Sequence, residues 1–349
     1  MAMDASVFSA EMDTYLEEYY KVNQISGRLR VTVKDNIIYQ KDLGFADREN
    51  RIPFNEQSMF TLYSLSKPFC AIALLLLKDK GLVELDVHPG VYVPEAKAFD
   101  ERVTIRQLLL HTSGVPDFDQ HTDYRARGMD GTSGLLRGQL KALAKLPMLF
   151  VPGTEARYTN INFILCALIV ENVSGMRYAD YMKKMIFEPL GMRRARIDEK
   201  GLVVAERVKG YLYQEQIAAI DRVTDWILGA ADVLATVDDV YCLNKAIKHR
   251  LLLKEETWKE VLTPSPLNSM GMGCTVSEWH GKKRITHNGG WDGFRTLHIQ
   301  LPEEDFDIIF LSNSGWGDAR AEFAEKIYET YYGGAKPMGE RVKMDVGYI

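Results

Sequence analysis

The chain has 349 residues, of which 46% are hydrophobic and 26% charged, with a formal net charge of −5. That length fits one large domain or two intimate ones with a sizeable core. The charge is too mild to imply a nucleic-acid partner, and the longest apolar run, Phe69 to Leu77, is too short to span a membrane.

Residues Val7 to Asn23 read as an amphipathic helix, with Phe8, Met12, Tyr15, Leu16 and Tyr19 at helical spacing. Gly27 to Val33 and Ile37 to Gln40 read as two strands of a hairpin around Lys34-Asp35-Asn36. Pro68 to Leu77 reads as a buried helix, and proline is tolerated only in its first turn, so the helix cannot begin much before Ser64. Proline also disfavours helical geometry at the residue before it, here Lys67. Val103 to Leu110 is a short helix capped at Thr104. Residues 116 to 134 are polar and contain glycine, and read as a mobile surface loop. Helices follow over Leu135 to Leu146, Ile161 to Asn172 (ended by Ser174-Gly175) and Tyr178 to Phe187 (stopped by Pro189), with a turn at Pro152-Gly153-Thr154.

The last third reverts to mixed structure. Val237 to His249 reads as a helix. Met270 to Val276, Arg284 to His287, Phe294 to Ile299 and Phe306 to Leu311 read as successive antiparallel strands, and Glu322 to Tyr331 as a closing helix. Strands thus lie at both ends and helices in the middle. The expected fold is α/β (α+β): an antiparallel sheet flanked by helices, built from both chain ends, with a mainly helical insertion. Residues 1–80 and 226–349 are expected to form the α/β domain, and 81–225 the helical one. The helix after Ser64 then borders a cleft.

The four cysteines, Cys70, Cys166, Cys242 and Cys274, include no CxxC pair. Cys70 and Cys166 fall inside apolar helical patterns and read as reduced core residues. No basic and apolar leader opens the chain, which leaves cytoplasm, or export with a leader removed, as the two expectations for its compartment. The seven histidines show no ligand spacing, so neither a metal nor an organic cofactor is expected.

Three short motifs carry chemistry. Ser64 and Lys67, three residues apart, share one helix face. A serine hydroxyl needs a base beside it, and a lysine serves if its pKa is lowered. Helix N-terminal amides favour the negative charge that develops there. Read alone, the pair is more simply an N-cap serine and a solvated lysine, since about one Ser-x-x-Lys arises by chance in a chain this long. Tyr158-Thr159-Asn160 projects a phenol and an amide together if extended. The phenol can shuttle a proton if cations depress its pKa, while the plainer reading is a half-buried tyrosine and an N-cap asparagine. His287-Asn288-Gly289-Gly290 ends a strand, and its paired glycines allow close backbone approach by a ligand. A free N–H at Gly290 would complete an oxyanion hole with that of Ser64.

Ser-x-x-Lys, Tyr-x-Asn and His-x-Gly, in this order, resemble the serine β-lactamase and penicillin-binding-protein superfamily. The tyrosine of the second motif points to the class C β-lactamase-like branch, which also holds DD-carboxypeptidases, D-aminopeptidases and carboxylesterases. Gly44 to Asp47, Leu108 to Gly114, Pro152-Gly153 and Glu188 to Met192 are similar to stretches of that branch, and the resemblance covers about residues 8 to 332. It implies Ser64 as the acylated nucleophile, Lys67 as its proton acceptor and Tyr158 as a second base. It implies Asn160 as a partner of Lys67 or substrate, and the amides of Ser64 and Gly290 as the oxyanion hole. His287 and Asn288 replace the Lys and Thr of the branch's Lys-Thr-Gly, which weakens recognition of a β-lactam carboxylate. The expected activity is hydrolysis of a small ester, amide or peptide through an acyl-enzyme. A DD-peptidase or true β-lactamase, and a non-catalytic binding or sensor domain, are the alternatives.

Overall fold

The computed structural model describes residues 3–23, 25–117, 140–199, 201–212, 219–220, 227–291, 293–315 and 320–333. The chain opens with helix α1 (Ala5–Asn23) and the hairpin β1 (Gly27–Val33) and β2 (Asn36–Leu43). Lys34 and Asp35 take φ of +49° and +62°, the left-handed pair that a tight hairpin turn demands. Strand β3 (Phe60–Thr61) leads to helix α2 (Lys67–Asp79), and then to α3 (Ile105–Leu109). Thr104 caps α3 in a reciprocal pair with Gln107. Helix α4 (Asn160–Ser174) ends at Gly175, which adopts φ +68°. Helix α5 (Tyr178–Met182) runs on into a π-turn over Lys183–Phe187.

Two-residue strands β4 (Arg196–Ile197), β5 (Gly210–Tyr211) and β6 (Ala219–Ile220) precede β7 (Val233–Ala235). Helices α6 (Val237–Lys248) and α7 (Glu255–Val261) follow. The chain then runs through β8 (Thr275–Trp279), β9 (Lys282–Thr286), β10 (Gly289–Trp291), β11 (Phe294–Leu301) and β12 (Phe306–Ser312) to helix α8 (Arg320–Tyr332). The loop read over 116–134 lies outside the described residues from 118 on, and of the helix read over Leu135–Leu146 only residues from 140 are described.

The main sheet is antiparallel in the order β2-β1-β12-β11-β9-β8, with β10 also on β11, so it joins both ends of the chain. β1 pairs with β12 from Gly27↔Ser312 to Val33↔Phe306. Alternation along β12 sorts the two faces. Phe306, Ile308 and Phe310 join Phe8, Met12 and Leu16 of α1 and Phe323 and Ile327 of α8 in one core. Ile309 and Leu311 belong to a second, larger core with α2 and α4. Helix α4 is buried at every position from Ile161 to Val170, so it is a central helix rather than an amphipathic surface one. It packs on α2, which is buried from Lys67 to Leu75.

Two sequence readings change here. Met270 to Cys274 is a loop, and the strand runs over Thr275–Trp279. A Cβ on Gly271 would lie 2.2 Å from the Val261 carbonyl oxygen, and one on Gly273 2.6 Å from Ala71 Cβ, so these glycines let the loop press onto α7 and α2. His287-Asn288 does not end the sheet line either, because the chain returns to β11 as β10 at Gly289.

Candidate active site

The serine sits in a 3-10 turn, Tyr63–Ser66, clamped onto β7. Leu62 N–H donates to the Val233 carbonyl (2.9 Å), and Ser66 Oγ accepts from Val233 N–H (2.9 Å). Tyr63, directly before Ser64, has φ +49°, a conformation non-glycine residues adopt only when their surroundings hold them there. Its buried ring packs against Phe294, centroids 5.9 Å apart. Lys67 itself is helical (φ −59°, ψ −41°) although Pro68 follows, so the local preference against that geometry yields to packing.

Lys67 is fully buried. Its Nζ donates to Asn160 Oδ1 (2.8 Å), the Ala230 carbonyl (2.9 Å) and Ser64 Oγ (3.2 Å). Burial lowers its pKa to about 7, against opposing pulls from Asp117, Cys70 and Asp232. A lysine poised near neutrality is suited to take a proton from the neighbouring hydroxyl. The Ala230 carbonyl is aimed by a tight turn in which Asp232 Oδ2 accepts from Gly229 N–H (2.6 Å). Gly229 has φ +72°, and a Cβ there would lie 2.7 Å from Ala167 Cβ and 2.8 Å from Cys70 Sγ, so glycine lets this turn rest on α2 and α4. Burial pushes the Asp232 carboxyl up to about 7.

Thr159, not Asn160, is the N-cap of α4, and Asn160 opens the first turn. The Asn160 N–H donates to Asp117 Oδ2 (2.5 Å). The Tyr158 ring stands 4.7 Å from Lys67 Nζ, a cation–π distance. Its hydroxyl is buried and faces the Ser64 hydroxyl. Burial raises the phenol's pKa, and the nearby Ser64 hydroxyl offsets only part of that. The expectation that cations would depress it is therefore reversed: the ammonium lies over the ring, and desolvation of the phenolate dominates. His111 stacks on Tyr158 with centroids 4.4 Å apart. Its Nδ1 accepts from Thr159 N–H (3.3 Å), and burial holds its pKa well below the usual imidazole range.

The break between β9 and β10 brings in His287, which is buried, with ring centroids 6.2 Å from Tyr158. Burial, followed by Lys67, lowers its pKa to about 3. Gly289 has a different duty from the one read in the sequence: a Cβ there would lie 2.0 Å from the Leu62 carbonyl oxygen, so the close neighbour is the serine turn rather than a ligand. The Thr296 hydroxyl donates to that same carbonyl (3.2 Å), and buried Arg320 of α8 donates to the Gly289 carbonyl (2.9 Å). Gly290 lies next along β10, opposite Arg295. Replacement of Gly289 by Ala is expected to destabilise the fold by about 1–3 kcal/mol, as overpacking does, and to lower kcat. Thermal denaturation beside steady-state kinetics checks this, and an unchanged Tm would show that β10 and the serine turn separate freely.

Ser64, Lys67, Tyr158, Asn160 and His287 thus converge, with Gly289 and Gly290 on the adjoining strand. His111, Asp117, Ala230 and Asp232 also shape the site, although the sequence reading gave them no role. Only His111 had a signal, through the Leu108 to Gly114 stretch. Among the described residues no group of three or more His, Cys, Asp or Glu side chains is placed to hold a metal ion.

A family model described as Beta-lactamase matches residues 12–328. The chain is 29% identical over 331 residues to Penicillin-binding protein 4* of Bacillus subtilis, covering 86% of this chain and 71% of that one. It is similar to the crystal structure of a penicillin-binding protein from Bacillus halodurans, with TM-score 0.79, 25% identity and 90% of this chain and 99% of that one covered. It also shares the fold of a D-stereospecific amidohydrolase from Streptomyces sp., with TM-score 0.77, 20% identity and 95% and 100% covered.

Proposed function

The chain belongs to the Beta-lactamase family, a family of serine hydrolases, and on that premise we propose that it hydrolyses a small ester or amide through an acyl-enzyme on Ser64. The observation that carries this reading is the Ser64–Lys67 pair: a hydroxyl 3.2 Å from a fully buried amine whose pKa is lowered to about 7. Near neutral pH a large share of Lys67 is unprotonated and able to accept the Ser64 proton as Oγ bonds to the substrate carbonyl carbon. The oxyanion that forms lies against the backbone amides assigned to Ser64 and Gly290. Tyr158, kept protonated by burial, gives its proton to the departing alcohol or amine and regains one from Lys67. Water then gives a proton to Lys67 as it adds to the acyl carbon, the ester bond to Oγ breaks, and Lys67 passes that proton to Ser64 Oγ. The residues near the leaving group favour a neutral substrate over a β-lactam, since His287 and Asn288 supply no ammonium there.

A second reading is supported by the names of the penicillin-binding relatives: slow acylation of Ser64 by a penicillin and release of D-alanine from a peptide. Intact-protein mass after incubation with a fluorophosphonate tests the shared premise. A single adduct on the wild-type chain, absent from Ser64→Ala, is expected. No adduct on folded protein would favour a binding domain without turnover. Ester, D-amino-acid amide and penicillin panels then separate the substrate classes.

A further inference from the structure

His287 Nδ1 lies 2.8 Å from the carbonyl oxygen of Asn288. A carbonyl oxygen only accepts, so Nδ1 carries the ring proton, and in a neutral imidazole the other nitrogen is then a bare acceptor. That nitrogen, Nε2, is buried and has no partner among the described residues. The ring does not escape by taking a second proton, because its pKa is held down to about 3 by burial and by Lys67. Tyr158, across the same space, keeps its proton and faces the Ser64 hydroxyl. Asn288 Oδ1 is a further buried acceptor without a partner among the described residues. The cations at hand are engaged: Lys67 by its three acceptors, Arg320 by the carbonyls of Gly289 and Thr296, and Arg295, beside Gly290, by the carbonyls of Trp291 and Phe294.

We infer that His287 Nε2 is a specificity-determining acceptor, which selects substrates whose leaving group carries an O–H or N–H rather than a carboxylate. The inference rests on the acyl-enzyme reading above. A hydroxyl or amine on the leaving group satisfies the orphaned nitrogen by donating to Nε2. A carboxylate meets the Nε2 lone pair with no ammonium to offset it, and leaves that nitrogen unpaired.

The test compares 2-hydroxyethyl, ethyl and carboxymethyl esters of one acyl group. The expected kcat/KM is at least about ten-fold higher for the hydroxyethyl than for the carboxymethyl ester. His287→Lys, with its fold checked by circular dichroism, is expected to reverse the order, and His287→Gln, which both donates and accepts, to narrow it. Wild-type preference for the carboxymethyl ester, or an unchanged order in His287→Lys, overturns the proposal. Nitrogen-15 NMR of histidine-labelled protein, assigned with His287→Gln, reads the tautomer without turnover. A proton on Nδ1 and none on Nε2 at pH 7 is expected, and an Nε2–H or an imidazolium overturns the acceptor assignment. Failure to hydrolyse any of the three esters counts against the acyl-enzyme reading, while the NMR still decides the His287 acceptor by itself.

Discussion

Ser64→Ala is expected to lower kcat on the order of 10⁵-fold, the scale on which removal of an activated nucleophile acts, while secondary structure and Tm stay near wild type. The site retains its remaining parts in that variant. Lys67 keeps Asn160 Oδ1 and the Ala230 carbonyl as acceptors, and the serine turn keeps its two clamps on Val233, through Leu62 N–H and Ser66 Oγ. The change removes one oxygen from a buried position, a loss expected to stay within about 1 kcal/mol of stability. Kinetics with an ester that the wild type turns over, beside thermal denaturation of both proteins, provides the check. Activity within ten-fold of wild type would remove Ser64 from the nucleophile's role.

Lys67→Met is the second large effect. An apolar chain of similar length fills the site without a base, and general-base catalysis of this kind is worth about 10²–10⁴-fold, so kcat/KM is expected to fall by that amount. The pH profile carries the stronger test. Wild-type kcat/KM is expected to rise as pH passes through about 7, where Lys67 loses its proton, and this limb is expected to vanish in the variant. Stability has a definite sign as well. The folded pKa of Lys67 lies below the value of 10.5 for a free side chain, so between pH 7 and 10.5 the unfolded chain binds the extra proton and stability rises with pH. Below pH 7 the buried ammonium opposes folding, and the methionine variant is expected to melt at a higher temperature there. A wild-type profile flat from pH 5 to 9, or a variant less stable at pH 6, would assign Lys67 an ordinary structural charge.

The helices over 5–23 and 237–248 were legible from residues alone because apolar side chains repeat over several turns, and that over 160–174 because a long apolar run closes at Ser174-Gly175. So was the placing of Ser64 and Lys67 on one face, since Pro68 leaves little freedom in where the helix starts. Helix α7 was not. Glu255 to Val261 spans seven residues and buries only Thr257, Trp258 and Val261, too short a stripe to show a period. Met270 to Cys274 looked like a strand because its apolar residues alternate, yet the alternating partners are glycines whose purpose is contact with α2 and α7. Gly289 was recognisable as a place of close approach, but only the three-dimensional contact says that Leu62 is what approaches. Asp117 and Asp232 reach Lys67 across long stretches of chain, and no local pattern marks such residues.

The pairing of β1 with β12 also sets an order in time. A ribosome adds about 5–20 residues per second, so β1 waits on the order of tens of seconds for its partner. Until then it has only β2, and a lone hairpin is marginal in water. The apolar faces of α2 and α4 emerge in the same interval with the sheet that covers them still unmade. Ser64 is synthesised early, yet β10 and the Arg320 that braces it come from the last part of the described chain. A nascent chain therefore carries Ser64 without the site around it until β10 and Arg320 have been made.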